Sequence, residues 1–200
     1  MKIYFNSYIK THFPQSNLNA SFCEVWADYE LRISTWLRDK TYTSQDLERV
    51  TSLAIQIFED MFMGETEPVW ALINQWDTRR DIYTFNQFKG LNEANYEAWV
   101  FFDETHQEDR EQIIIKTTLD NINYQNIIRK AIYRCQNWKD REISSRVYFI
   151  HPIRHMYYLH FDSEVILGSD DAIDLVGYYH KYYQYMEDVR RKAFQQYIVY

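Results

Sequence analysis

The stretch RVYFIHPIRHMYYLHFDSEVIL, Arg146 to Leu167, holds two β-rich segments joined by a turn that contains Pro152, and it leads into a third. Val147–Ile150 and His155–Phe161 are predicted to form a β-hairpin, followed by a short strand at Val165–Leu167, because aromatic and β-branched residues favour strands. We therefore predict that this stretch is the centre of a sheet, which further strands extend and helices cover.

Further strands are indicated on both sides of this stretch. From Tyr29 to Leu37 the apolar residues alternate with polar ones, which is typical of a half-buried strand. The other predicted strands are Val69–Asn74, continuing to Trp76, then Tyr96–Asp103 and Gln112–Leu119. The polar run from Glu104 to Glu111 is predicted to be a wide hairpin loop.

The clearest predicted helix begins after a cap at Thr43 or Ser44 and stops at Gly64. A short helix is predicted at residues 2–12, and residues 15–28 are interpreted as a polar link. The other predictions are a helix capped by Asn123 and reaching Cys135, a last helix capped by Ser169 or Asp170 and reaching Met186, and a tail at residues 188–200 that could dock as a further helix.

No repeat, low-complexity tract or change of composition marks a boundary, so the sequence predicts one domain over residues 1–200. Strands outnumber helices and mostly follow one another through hairpins. The predicted fold is therefore α+β: an antiparallel or mixed sheet of about six strands, with three to five helices packed on it.

Composition narrows the class of protein. With 46% hydrophobic and 18% aromatic residues, the chain can form a core and is not of the disordered type. The net charge of −7 would repel nucleic acid and anionic lipid, so a protein partner is favoured. No apolar run suits a membrane helix and the first residues lack a signal peptide's apolar segment, which together indicate a cytoplasmic protein without membrane contact.

Five motifs in order resemble the bacterial family catalogued as domain of unknown function 3885. They are LRIST (31–35), AIQIFEDMF (54–62), VWALINQW (69–76), VYFIHPIRHMYYLHFD (147–162) and YYHKYYQYMEDVRRKAF (178–194). Together they span most of the chain from about residue 30 onward. The resemblance implies a soluble bacterial or phage α+β protein of undetermined activity.

The chain departs from that family pattern in two places. After the second hairpin strand the family carries an acidic pair followed by Arg-Gly, whereas this chain has Phe161, Asp162, Ser163 and Glu164. In the final helix, Tyr185 stands where the family has Trp, and residues 189–191 replace Tyr-Asp-Arg. A functional site built from those family residues would be altered here.

Three histidines, His151, His155 and His160, lie in or beside the hairpin, and imidazole is a common metal ligand. His155 and His160 have opposite strand parity, so only His151 and His155 could meet. We expect no metal site there. Cys23 and Cys135 are far apart without metal-binding spacing, and both are expected to be buried free thiols.

No catalytic motif stands out. The four glycines leave little room for a phosphate-binding loop, and the sequence has no nucleophilic-serine elbow. Asp162 and Glu164 share parity and could hold a divalent ion or act as acid and base. No catalytic residue, metal or cofactor is therefore assigned.

The favoured function is stoichiometric protein binding by a small acidic protein, such as a toxin-immunity protein or a phage-encoded inhibitor of a bacterial defence. Two alternatives stay open. One is a metal-assisted hydrolase that uses an Asp/Glu/His cluster after the hairpin of residues 147–161. The other is a homo-oligomer formed through a Tyr-rich face. The candidate protein-binding residues are Asp77, Arg79, Arg80, Glu104, His106, Asp162 and Glu164.

Overall fold

The computed structural model describes residues 5–21, 24–34, 43–75, 87–90, 96–103, 108–136, 147–161 and 164–198. The helices are α1 (Phe5–His12), α2 (Ser44–Phe62), α3 (Tyr124–Gln136), α4 (Ala172–Tyr182) and α5 (Asp188–Ile198). The strands are β1 (Asn19–Ser21), β2 (Glu24–Trp26), β3 (Tyr29–Ser34), β4 (Val69–Gln75), β5 (Tyr96–Asp103), β6 (Glu108–Thr117), β7 (Val147–His151), β8 (Met156–Phe161) and β9 (Glu164–Ser169).

Seven strands form one sheet in the order β3-β9-β8-β7-β4-β6-β5, and all neighbours are antiparallel. The predicted hairpin is β7–β8, which lies in the middle of this order. The α+β prediction is confirmed, with seven strands in the described sheet where about six were expected. We call the two ends of the sheet the His151 end, where β7 and β9 stop, and the Glu164 end, where β8 and β3 stop.

One face of the sheet packs against α2, α3, α4 and α5. A row of side chains crosses this face in register, and it runs from Leu31 through Leu167, Tyr158, Phe149 and Ala71 to Ile115. Tyr158 is fully buried, and its hydroxyl donates to the Ala54 carbonyl at 3.1 Å. This bond satisfies the one polar atom of the ring inside the core and fixes α2 over the sheet.

The opposite face is covered by α1 and the small β1–β2 sheet. Phe5, Tyr8 and Ile9 of α1 pack with side chains such as Leu72 and Ile150, which point the other way from the helix-side row. The sheet is thus covered on both faces. This explains why every residue of β7 is buried instead of every second one.

The boundaries of α2 follow from its terminal residues. The Thr43 side chain accepts from the Asp46 N–H at 3.2 Å, and the Asp46 carboxylate accepts from the Thr43 N–H at 3.1 Å, so the two residues form a capping box. After the helix, Gly64 has φ of +84°, a left-handed conformation that glycine adopts without strain. The predicted start and stop of this helix are confirmed.

Three predictions need correction. The polar link contains β1 and β2, which are too short to show a periodic pattern. The strand β6 begins at Glu108, inside the predicted wide loop, because its first residues pair with the end of β5. The cap of α4 is Asp171, whose side chain accepts from Ile173 N–H at 2.9 Å, and the helix ends at Tyr182 before a short 3-10 turn.

The predicted C-terminal helix is confirmed, and several other predictions concern residues that the structure does not describe. The tail does dock as a helix, since Phe194 of α5 is buried and stacks on Tyr179 with ring centroids 5.2 Å apart. The predicted strand extensions at Trp36, Leu37 and Trp76 and the thiol of Cys23 lie outside the described residues. Cys135 lies in α3, and its thiol state stays a prediction.

Candidate binding groove

A groove of about 370 Å³ lies on the α1 side of the sheet, between β2 and the strands β3, β9, β8 and β7. Trp26, Tyr148, Tyr157 and Phe161 contribute aromatic walls to it. The charged side chains that line it are Glu24, Glu30 and Arg32. A volume near 300 Å³ or more is within the range of ligand-binding pockets, so the groove is the candidate functional site.

The position of Tyr157 depends on Gly168. The two residues pair across β8 and β9, and a Cβ atom on Gly168 would lie 2.1 Å from Cε1 of the Tyr157 ring. Real carbon atoms do not approach so closely, so only glycine lets the ring lie flat across β9. The ring thereby reaches Glu30, which pairs with Gly168 on the far side of β9.

Glu30 is held by two donors. The Tyr157 hydroxyl donates to its Oε1 at 2.5 Å, and Arg32 Nη2 donates to its Oε2 at 2.9 Å. Burial and the adjacent carboxylate raise the pKa of Tyr157, so the phenol stays protonated and acts as a donor. Burial disfavours the charge of Arg32, but the hydrogen bond that Arg32 donates to Glu30 and the nearby carboxylates outweigh this effect and raise the pKa of the guanidinium.

Glu164, one of the residues predicted from the sequence, extends this network. Its Oε2 lies 3.6 Å from Arg32 Nη1, and its Oε1 lies 3.7 Å from Arg190 Nε. Glu164 and Arg190 belong to the two segments in which the chain departs from the family pattern. The structure therefore joins both departures in one ion-pair network beside the groove.

A second aromatic and acidic environment lies on the same face of the sheet, and it contains a lysine. Lys116 Nζ is 2.8 Å from Glu97 Oε1 and 4.3 Å from the centre of the Trp70 ring. The ring of Tyr8 is 5.6 Å away. Burial alone would raise the pKa of Glu97, but hydrogen bonds from Lys116 and Tyr8 lower it overall.

The hairpin histidines contact different carboxylates. His151 Nε2 pairs with Glu65, while its Nδ1 accepts from the Arg154 N–H at 3.3 Å, so the ring is a neutral donor to that carboxylate. Burial lowers the pKa of His151. His155 Nδ1 lies 3.2 Å from Asp170 Oδ2, on the side of the sheet where its ring contacts Phe13.

His160, in contrast, contacts no carboxylate among the described residues. It is buried on the helix side of β8, and neither ring nitrogen has a hydrogen-bond partner. Burial lowers its pKa to about 4, so the ring is neutral at pH 7. Within the described parts of the chain, no three His, Cys, Asp or Glu side chains gather as a metal site would require.

Of the seven predicted site residues, Glu164 is described, and it lies beside the groove, where it pairs with the lining residue Arg32. Asp77, Arg79, Arg80, Glu104, His106 and Asp162 lie outside the described residues. The strand ends that border them, Gln75 of β4, Asp103 of β5 and Phe161 of β8, are all at the Glu164 end of the sheet.

Sequence reasoning missed most of the groove. Trp26 and Glu24 fell in the predicted polar link, and Glu30 and Arg32 were interpreted only as the polar side of a strand. The short spacing Glu30-x-Arg32 on an alternating strand puts a carboxylate and a guanidinium on one face, which is a signal that was available. The pairing of Tyr157 with Gly168 needed the register of β8 and β9.

No helix in the described ranges is both long and apolar enough to cross a bilayer. Neither a curated protein nor a solved structure matches the sequence. A family model does match, over residues 5–190, and this range includes α1 and every residue that lines the groove. The chain therefore belongs to the family described as Domain of unknown function (DUF3885).

Proposed function

We propose that this protein acts by stoichiometric binding of a protein partner in the cytoplasm, as a toxin-immunity protein or a phage-encoded inhibitor of a defence system does. The observation that carries the proposal is the groove, in which aromatic side chains surround a fixed carboxylate and guanidinium. Trp, Tyr and Arg are the residues that most often dominate the binding energy of protein interfaces. All three types line this groove.

The groove is also organised before any partner arrives. Glu30 is fixed by Tyr157 and Arg32, and Arg32 is fixed in turn between Glu30 and Glu164. Side chains that already hold their bound geometry lose less conformational freedom on association, which favours affinity. Trp26, at 39% exposure, leaves part of its ring for contact with a partner.

The test is affinity capture from an extract of the source cell, with three forms of the protein compared at equal concentration. Wild type is expected to retain one protein at equal stoichiometry, as judged by light scattering of the eluted complex. Trp26→Ala is expected to lose it, because the substitution removes the exposed wall of the groove. Met63→Ala is the matched control, since Met63 is 71% exposed and lies after α2, away from the groove.

Equal capture by wild type and Trp26→Ala would contradict a role for the groove. Stoichiometric zinc or manganese in the purified protein, together with the absence of a captured partner, would contradict stoichiometric binding and favour the metal-assisted hydrolase. A strict 1:1 complex with the Met63→Ala form, but not with Trp26→Ala, is the result that supports the proposal.

A further inference from the structure

We propose that the group that enters the groove is a basic side chain of the partner, the ammonium of a lysine or the guanidinium of an arginine. This inference rests on the proposed function and adds the chemistry that the partner must present. It is carried by the charge of the groove, by its aromatic walls and by the way in which the same sheet already binds one of its own lysines.

Among the described residues in and beside the groove, carboxylates outnumber guanidiniums. Glu24, Glu30 and Glu164 contribute three carboxylates, against the two guanidiniums of Arg32 and Arg190. Arg32 lies between Glu30 and Glu164, so its charge is compensated within the protein. An anion in the groove would lie against the carboxylates of Glu24 and Glu30, whereas a cation would be attracted to them. The net charge of the whole chain, −7, would also attract a basic partner toward the protein.

Glu30 keeps acceptor capacity for such a cation. Each carboxylate oxygen can accept two hydrogen bonds, and Oε1 and Oε2 each receive one, from Tyr157 and from Arg32. The aromatic rings on the walls add to the attraction, because the face of an aromatic ring carries partial negative charge and binds ammonium and guanidinium groups.

Lys116 is an intramolecular precedent on the same row of the sheet. The residues Glu30, Gly168, Tyr157, Ile150, Trp70 and Lys116 are consecutive cross-strand neighbours on the α1 side. At the Lys116 side of this row, a carboxylate and two aromatic rings enclose an ammonium group. At the Glu30 side, the same types of group line a groove. We infer that the groove is the intermolecular counterpart of the Lys116 site.

The experiment titrates small probes into uniformly ¹⁵N-labelled protein and follows the indole N–H signal of Trp26, which is assigned with Trp26→Phe. The probes are the N-acetyl amides of arginine, lysine and citrulline, with spermidine as a free polyamine. Arginine or lysine amide is expected to shift the Trp26 signal with a millimolar dissociation constant. Citrulline amide, which has the shape of arginine without its charge, is expected to bind about tenfold more weakly.

Glu30→Gln and Glu97→Gln form a matched pair of variants. Both remove one carboxylate from the same face of the sheet, but Glu97 is already paired with Lys116. Glu30→Gln is expected to weaken binding of the arginine or lysine amide about fivefold or more. Glu97→Gln is expected to leave it unchanged, and the melting temperature of each variant identifies one that has lost its fold. Tyr157→Phe keeps the Glu30 carboxylate and the aromatic ring but removes the hydroxyl that binds Glu30. Its affinity for the amides is expected to fall between those of wild type and Glu30→Gln.

Equal shifts with citrulline and arginine amides would overturn the inference, as would Glu30→Gln that binds like wild type. If no probe moves the Trp26 signal but a partner is captured through Trp26, the inference is wrong and the proposed function stands. If spermidine binds far more tightly than the amides and no partner is captured, a free polyamine is the ligand, and both the partner side chain and the proposed function are contradicted.

Discussion

Replacement of Gly168 by alanine tests the packing that forms the groove. The new Cβ would lie 2.1 Å from Cε1 and 2.3 Å from Cζ of Tyr157. Carbon atoms pack at about 3.5 Å or more, so the ring must move by at least about 1.4 Å. Tyr157 is 1% exposed, so such a movement disturbs the side chains that pack against the ring.

The expected loss of stability has two sources. Forcing extra volume into a packed site costs about 1–3 kcal/mol. Displacing the ring also breaks the bond from its hydroxyl to Glu30, and hydrogen bonds to charged groups contribute about 1.5–3 kcal/mol. Since alanine recovers a fraction of this by restricting the unfolded chain, we expect a net loss of about 3 kcal/mol. In a chain of this length that corresponds to a melting temperature about 6–12 °C lower.

The measurement is urea unfolding followed by circular dichroism, arranged as a double-mutant cycle. Gly168→Ala is measured in wild type and in a Tyr157→Leu background, which lacks the ring atoms that clash. The two changes are expected to couple by at least about 1.5 kcal/mol, because residues in direct contact are not additive. Gly177→Ala in α4 is the control: no atom lies within 4 Å of its new Cβ, and a gain of about 0.5–1 kcal/mol is expected.

If Gly168→Ala unfolds at the same urea concentration as wild type, the proposed clash with the Tyr157 ring is refuted. It would equally be refuted by the same loss in both backgrounds, since the clash with the Tyr157 ring would then not be its cause.

Three further predictions concern a buried histidine, an ion pair and a helix cap. His160 has a pKa of about 4 when folded against 6.5 for the free side chain, so wild type should lose up to about 3 kcal/mol as the pH falls from 6.5 to 4. In denaturation across that window, His160→Leu should remove this part of the pH dependence, with His180→Leu at an exposed site as the control. Asp60→Asn should destabilise by about 1 kcal/mol at pH 7, because the Lys181 hydrogen bond lowers the Asp60 pKa against the effect of burial. That difference should shrink below pH 3.8, where the unfolded carboxyl is protonated, and a pH series of thermal melts measures it. Thr43→Ala should lower the free energy of unfolding by about 1 kcal/mol through loss of the capping box, and Thr66→Ala, outside any helix, should not.

The parts of the fold that could be predicted are those with local causes. The helix α2 is capped at Thr43 and stops at Gly64, so a few adjacent residues determine each of its ends. The hairpin β7–β8 has a turn containing Pro152 between two apolar runs. In both cases the signal and the structure lie within the same stretch of chain.

The parts that could not be predicted have causes far apart in the sequence. Tyr157 lies against Gly168 only because β8 and β9 pair in one register, and it reaches Glu30 only because β3 pairs with β9. Trp26 lines the groove because β2 packs over the sheet. A strand of three residues is too short to show the alternation of apolar and polar residues from which strands are predicted. A groove made in this way appears only when the strands are assembled.

The position of β3 at the edge of the sheet has a consequence for the order of folding. Leu31 pairs with Leu167, so an early strand completes its ladder only when one of the last strands is available. Contacts between residues this distant in sequence slow the search for the native state. During synthesis, β3 and the groove residues on it leave the ribosome long before their partners do. We therefore expect that the ribosome-bound chain exposes an unpaired strand until β9 is released.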